Sequence, residues 1–443
     1  MKIVKDTFLL YLTRLIDVIA TFVQIKLLAI YLPKFVVGQI FFVIGIASFL
    51  STLFFAGFPF VFVRFIPKMD DTDSGTLLNL SILLYYLGLL LSTLIGLIFY
   101  RTWNFWVLFV GVYLSGILPL IGAYLIGKRE VKFYFLLTLV RSLILIILLY
   151  AFRHLLSDST LGYILGIAGI CILIIFYLIE GKLTLDRQIT KLVLKRIGNF
   201  WKYAFLDQLF QPVFMYLYRI ITPYVVGFEA LASFTVSRRV DNFSRRIFQV
   251  PLDIISPEIS YRDDRKESII PALRELKKIY VSLSSVFFLL YIFAGKLIIK
   301  LITTGAYLDA YYPLLILAFG LIISSTYSVD ATYLRSIGDI KPYFIHNIIW
   351  MVTFIASFVV LGKNFGLTGM AASYPIGHLF AGIYVKSRIR EKALLMADIL
   401  FLPTILLVLL SLVLMTRWSV GLVGIYTLFM LASTKFDKMQ LRR

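Results

Sequence analysis

Cysteine, histidine and charge are all scarce in this chain. Cys171 is the only cysteine in 443 residues, so no disulfide framework and no thiolate metal site can form. Three histidines, with no metal-ligand spacing among them, give no sign of a His-based centre. Charged residues make up 15% of the sequence, well below the roughly 25% usual in soluble domains, which excludes a soluble domain of any size. The sequence has no Gly-rich phosphate loop and no Ser-His-Asp arrangement. The pair "DTD" at Asp71–Asp73 has the look of a glycosyltransferase metal motif, but it precedes "SGTLL", where an acidic or hydroxyl residue caps a helix. On these grounds the chain reads as a protein without enzymatic activity, bound metal or cofactor.

What fills the sequence is apolar: 60% of residues are hydrophobic, in repeated runs of about 20, the length that crosses a bilayer as a helix. The spans are expected at 7–30, 36–62, 76–100, 103–126, 133–152, 160–179, 201–225, 228–256, 276–302, 309–334, 342–361, 367–386, 395–415 and 418–434. This gives an all-α polytopic membrane protein with about fourteen transmembrane helices. The first segment contains Arg14, Asp17, Gln24 and Lys26 and lacks a small-residue cleavage site, so it is expected to persist as a helix.

The formal net charge of +20 would suggest nucleic acid in a soluble protein. Here it sorts by side of the membrane, and nucleic acid is not expected as a partner. With the N-terminus in the cytoplasm, inner segments hold Lys2, Lys5, Arg64, Lys68, Lys128, Arg129, Lys132, the 182–196 cations, the Arg262–Lys278 cluster and the basic C-terminus. Outer loops keep few cations and are short. That asymmetry sets orientation, placing both termini in the cytoplasm and the protein in the cell (cytoplasmic or inner) membrane.

Two similar halves are legible. "LPKFVVGQIFFV" (32–43) follows the first helix as "VVGFEALASFTV" (225–236) follows the seventh, an offset of about 193 residues. Each leads to a proline-bearing exit, "GFPFVFVRFIPKMDD" (57–71) and "VPLDIISPEISYRDD" (250–264). Six helices per half is an even number, so the halves are expected to be parallel. The organisation is therefore a six-helix half at 1–180, an amphipathic cytoplasmic linker at 181–200, a second six-helix half at 201–392, and an appended helix pair with a basic tail at 393–443.

Charges inside the expected spans mark the candidate site. On the eighth helix Arg238, Asp241 and Arg245 are spaced i, i+3, i+7 and share one stripe, while Arg239, Asn242 and Arg246 form a second. Arg238 and Arg239 lie near the expected midplane, and one Asp, Asp241, cannot neutralise both, which points to a hydrated cationic cavity; Arg245 and Arg246 lie near the inner boundary, where a snorkelling, positive-inside role is the alternative. Gln208, Gln211 and Arg219 line one face of the seventh helix, beside Asp207. Arg14, Asp17 and Lys26 occupy the equivalent first helix, and matching positions of a repeat are where a transporter's site is expected. Arg14, Lys26, Gln208, Gln211, Arg219, Arg238, Arg239, Arg245 and Arg246 are the substrate-binding candidates. Asp17, Asp207 and Asp241 are candidates for ion coupling. His346 and His378 are expected to make interhelical hydrogen bonds.

The two six-helix halves, the exit "VRFIPK" (63–68) and the opening "FWKYAFLDQLFQPVF" (200–214) resemble the polysaccharide-transporter family, which includes the Wzx-type O-antigen flippases. That family belongs to the multidrug/oligosaccharidyl-lipid/polysaccharide exporter superfamily. The resemblance implies movement of a polyprenyl-(pyro)phosphate-linked oligosaccharide from inner to outer leaflet by alternating access, for surface polysaccharide biosynthesis. It implies the lipid-linked sugar, the bilayer and other polysaccharide-assembly proteins as partners. Two alternatives are a multidrug or cation exporter of the same superfamily and a membrane glycosyltransferase or polymerase. The last usually carries a large outer loop, for which this sequence has no room. The topology is testable: reporter fusions after Arg153 and Lys363 should read as external and fusions after Lys195 and Arg390 as cytoplasmic, and an external C-terminal tag would overturn the orientation.

Overall fold

Every backbone N–H and C=O inside a bilayer needs a partner within the protein, and a helix supplies all of them locally. The computed structural model describes residues 2–54, 57–99, 103–180, 216–264, 269–337 and 340–389, with isolated positions between 195 and 206. Among them there is no strand. The helices are α1 (Lys2–Tyr31), α2 (Lys34–Phe54), α3 (Phe58–Phe65), α4 (Asp71–Phe99), α5 (Trp103–Ser115), α6 (Leu118–Gly127), α7 (Val131–Ala151), α8 (Asp158–Glu180), α9 (Phe228–Asp264), α10 (Ile270–Ile302), α11 (Tyr311–Ser336) and α12 (Ile340–Arg388). A further helical stretch covers 216–225. Nine segments among the described residues are long and apolar enough to span a membrane. The linker at 181–194 and the thirteenth and fourteenth expected helices lie outside the described residues.

Three expected helices differ from a simple rod, each for a local reason. The second was expected unbroken over 36–62. It breaks at Gly57, whose φ of 88° is a left-handed conformation, and Pro59 restarts the chain as α3. The fourth divides into α5 and α6 around Gly116, with Pro119 in the first turn of α6. The eighth was expected to stop near 256 but stays helical to Asp264, through both Pro251 and Pro257.

The 49-residue α12 is two limbs joined at Gly366 (φ 59°, ψ −137°). A straight helix would separate Trp350 from His378 by about 40 Å, yet their rings are 5.4 Å apart and Phe354 lies 4.7 Å from Tyr374. The limbs therefore fold back on each other, as the separate eleventh and twelfth spans of the sequence require. At the start of α4, the Asp73 N–H donates to Asp70 Oδ1 at 2.7 Å, so the "DTD" segment is a capped first turn.

The chain forms two compact units. The first is Met1–Ala232 with Ile302–Thr304; the second is Ser233–Leu301 with Gly305–Arg443. In the first, α1 packs on α7, α2 on α4 and α5, α3 on α6, and α5 on α8. The last contact is the tightest. A Cβ added at Gly111 would lie 2.0 Å from the Gly162 carbonyl oxygen, and one at Gly162 would lie 2.6 Å from Leu108. Gly166 and Gly169 continue that face of α8. Lipid tails are as apolar as leucine, so close backbone approach over small residues drives such pairs instead of the hydrophobic effect. Phe62, Tyr85, Tyr113 and Tyr124 fill the neighbouring core. In the second unit α11 packs along both limbs of α12, and Ser284 of α10 meets Ser325 of α11 at 3.1 Å.

Gly111→Val should therefore lower thermal stability in detergent by about 1–3 kcal/mol or more. Gly75→Ala, where nothing lies within 4 Å, should leave it unchanged or raise it by up to about 1 kcal/mol. Equal effects of the two substitutions would contradict the packing.

Candidate functional site

In the second unit, α9 is fixed by hydroxyls before any charge is placed. Ser233 Oγ lies 2.9 Å from both carboxylate oxygens of Asp309, and Ser237 Oγ donates to the Ala310 carbonyl at 2.7 Å. Half-way along, Tyr291 OH of α10 reaches Val240 O at 3.0 Å and Ser244 Oγ at 3.2 Å. These contacts set the rotation of α9 and turn the Arg238 stripe inward.

On that stripe Asp241 has no exposed surface, and both arginines bond the same carboxylate oxygen. Arg238 Nη1 donates to Asp241 Oδ2 at 3.0 Å and Arg245 Nε donates to it at 2.6 Å. The Arg238 guanidinium also lies over the Tyr374 ring, 4.0 Å from its centre, a cation–π contact that stabilises a desolvated charge. Arg245 extends further: its Nη1 is 3.4 Å from His378 Nε2, and His378 Nδ1 is 2.7 Å from Tyr327 OH. Arginine only donates, so Nε2 is the acceptor and the ring is the neutral Nδ1–H tautomer donating to Tyr327. Trp350 and His346 complete the surroundings through ring contacts to His378 and Tyr327 respectively. His378 makes the interhelical hydrogen bonds expected of it, whereas His346 Nδ1 lies 2.9 Å from the Tyr343 carbonyl oxygen of its own helix and meets Tyr327 by ring contact. Arg239 and Arg246 are half-buried on the adjoining stripe.

A second charge pair in this unit was not anticipated. Lys277 belonged to the cations assigned to an inner loop, but Lys277 Nζ donates to Asp330 Oδ2 at 2.8 Å with both side chains wholly buried. Beside it Lys278 pairs with Glu275 at 2.9 Å. An isolated lysine and aspartate facing each other from apolar helices carry a sequence signal only as a pair, because neither tolerates hydrocarbon alone.

The first unit holds the remaining candidates, each in its own setting. Asp17 of α1 pairs with Arg141 of α7 at 3.5 Å, so its carboxylate reaches across helices as well as lying one turn from Arg14. Lys26 Nζ donates to the Thr303 carbonyl at 2.5 Å. Arg219 Nε donates to Tyr218 OH at 3.0 Å, its guanidinium lies 5.5 Å from the Tyr216 and Tyr218 ring centres, and its stem crosses Gly45, where a Cβ would come within 2.7 Å. Arg14 is half-buried on α1. Asp207, Gln208 and Gln211 lie outside the described residues. No group of three or more metal-ligating side chains occurs among the described residues.

No protein-family model matches the chain, and no curated protein matches it by sequence. Solved structures do. The chain is similar to an inward-facing multidrug resistance MATE family transporter of the MOP superfamily, with a TM-score of 0.67 at 16% identity, over 88% of this chain and 96% of that one. It is equally similar to the lipid II flippase MurJ in an inward closed conformation, with a TM-score of 0.67 at 15% identity, over 99% and 100% of the two chains. The Vibrio cholerae MATE transporter VcmN follows at 0.62 and 14%, over 89% and 98%. The fold is the one these transporters share.

The buried pair makes a prediction of its own. Lys277→Met alone should destabilise the protein by about 3–5 kcal/mol, because it removes the buried counter-charge facing Asp330. Adding Asp330→Leu should recover most of that loss. Thermal unfolding of the three proteins in one detergent measures it, and a double variant no better than the single one would refute the pairing.

Proposed function

We propose that this chain is a MOP-superfamily transporter, not an enzyme, and that it moves a polyprenyl-(pyro)phosphate-linked oligosaccharide from the inner to the outer leaflet by alternating access. The observation that carries the reading is the shared carboxylate. Arg245 bonds an aspartate oxygen that Arg238 already bonds, so the stripe holds two guanidiniums on one carboxylate. A lipid pyrophosphate offers charge-dense oxygens that match arginine's fork of donors. Arg219, held by tyrosines, supplies a further guanidinium in the first unit. Arg14, Lys26, Gln208 and Gln211 of the first unit and Arg239 and Arg246 of the second are proposed, each in its own unit, as further contacts for headgroup or sugar, while the lipid tail stays in the bilayer.

The likeness to a lipid II flippase over the full length of both chains supports this reading. An interior-negative potential assists it, since outward movement of each negative charge gains roughly 2.3 kcal/mol per 100 mV. We place the protein in the cytoplasmic membrane with both termini inside, as two parallel six-helix halves joined by the 181–200 linker, working with other polysaccharide-assembly proteins. Export of cationic drugs is the competing reading, favoured by the aromatic rings of Tyr374 and Trp350 in the Arg238–His378 neighbourhood and by the MATE structures. A cation cavity calls for more acid than base, and the described stripe has the opposite balance.

Arg219→Ala, Arg238→Ala and Arg245→Ala should each lower flipping of a fluorescent lipid-linked oligosaccharide in proteoliposomes by about tenfold or more. Lysine at these positions should restore it only in part, because it keeps the charge without the fork. Wild-type flipping in all three alanine variants, or transport of ethidium with none of the lipid-linked sugar, would reject the reading.

A further inference from the structure

One imidazole lies in direct contact with a stripe donor that the substrate would need. That group is His378. Its Nε2 accepts from Arg245 Nη1 at 3.4 Å, and its Nδ1 hydrogen is committed to Tyr327 OH at 2.7 Å. The only ring nitrogen able to take a proton is therefore the one that holds Arg245. Protonation turns that acceptor into a donor and sets an imidazolium against a guanidinium, so the bond cannot persist.

We propose that His378 is the proton-binding site of this protein, and that its protonation releases Arg245 to bind an anionic headgroup. The proposal deepens the flippase reading and rests on it for the identity of the anion. In the neutral state His378 competes with the headgroup for a hydrogen on Arg245. In the protonated state the competitor is gone and a second cation stands beside the first. Proton and anion then bind with positive coupling, and by linkage each strengthens the other.

Placement supports this. Asp241 and Tyr327 are closed off, whereas His378 is half-buried and the Arg245 side chain is 22% exposed. The two groups that would meet a proton and an anion are the ones reachable from outside the packed helices. Arg245 keeps its Nε bond to Asp241 throughout, so only its outer edge is redirected.

Asp17 and Asp241 are weaker candidates for the same role. Each is bonded by arginine, a partner that stays charged. Among the described residues, the charged and titratable groups around His378 include Arg245 of α9 with Arg238 and the Asp241 both bond, Tyr327 of α11, and Tyr291 of α10 beside Ser244. Tyr343 and His346 come from the first limb of α12, and Tyr374 from its own limb. The pH range to be probed is about 5 to 8, around the unperturbed value of an imidazole. His346 Nδ1 lies 2.9 Å from a backbone carbonyl oxygen, and it does not touch Arg245.

The test uses the full-length protein in detergent and inorganic sulfate, an anion of constant charge over that pH range. Sulfate should bind about tenfold more tightly at the acid end than at the alkaline end. His378→Gln, which keeps an acceptor for Arg245 but takes no proton, should still bind sulfate with no pH dependence. Should that variant fail to fold, Tyr327→Phe removes only the oxygen receiving the Nδ1 hydrogen, and it should move the midpoint of the pH dependence. Alongside, spectra of protein labelled with nitrogen-15 at histidine and arginine should show His378 Nε2 becoming protonated with the same midpoint at which the Arg245 side-chain signal moves. Sulfate binding that ignores pH in the wild type overturns the switch and leaves the anion site standing. Absence of sulfate binding at any pH overturns the anion site, and the spectra then decide the switch alone: an Arg245 signal that stays fixed while His378 titrates refutes it.

Discussion

A charge inside an apolar helical bundle must find its counter-charge within the protein, and the second unit is organised around one carboxylate that meets this demand twice. Asp241 is wholly buried, and its Oδ2 takes hydrogen bonds from arginines on both sides of it along α9. Removing the carboxylate would leave two guanidiniums to be satisfied by Tyr374, His378 and whatever water could enter. Elsewhere Arg141 meets Asp17, Lys277 meets Asp330 and Lys278 meets Glu275. Those pairs join elements or brace a turn. At Asp241 the bases outnumber the acid.

The surrounding packing serves to keep that arrangement in register. Hydrogen bonds from Tyr291, Ser233 and Ser237 fix α9 in rotation, so that its polar stripe cannot turn toward lipid. Folding α12 back at Gly366 brings Trp350 and Tyr374 to the same level as His378. A single straight α12 would place Tyr374 and His378 far from Trp350 and His346. The left-handed φ at Gly366 is thus tied directly to the composition of the site, and a residue with a Cβ is disfavoured there.

Much of this was legible before the structure, because hydropathy and helical spacing are local properties. The spans follow from runs of about 20 apolar residues, and the i, i+3, i+7 spacing of Arg238, Asp241 and Arg245 already places them on one stripe. What escaped depends on tertiary partners. Lys277 reads as one more inner-side cation until Asp330 is brought against it from α11. His378 reads as any polar residue in a span until α9 delivers Arg245. The break at Gly57 was carried by "GFP", since glycine followed closely by proline favours a restart over a continuous helix. The glycines at 162, 166 and 169 also carried a signal, small residues at helix-contact spacing. The positions of Asp207, Gln208 and Gln211 rest on the sequence alone.

On the proposed reading, the site has to be stable both with and without an anionic cargo, and the geometry around Arg245 addresses the second state. An arginine that lost its anion in an apolar interior would be left as an uncompensated charge, a situation that costs about 3–5 kcal/mol when created by mutation. Such a penalty would oppose release and hold the transporter in its loaded form. Arg245 avoids it because two internal acceptors, Asp241 Oδ2 and His378 Nε2, occupy its Nε and Nη1. On the proposed reading, a headgroup would exchange with protein acceptors and would not leave a bare charge behind. The strength of anion binding would then be set by the difference between two states in each of which Arg245 has acceptors, with its buried Nη2 left to donate to the anion. A tighter clamp, with Arg245 reserved for cargo alone, would bind better and turn over less.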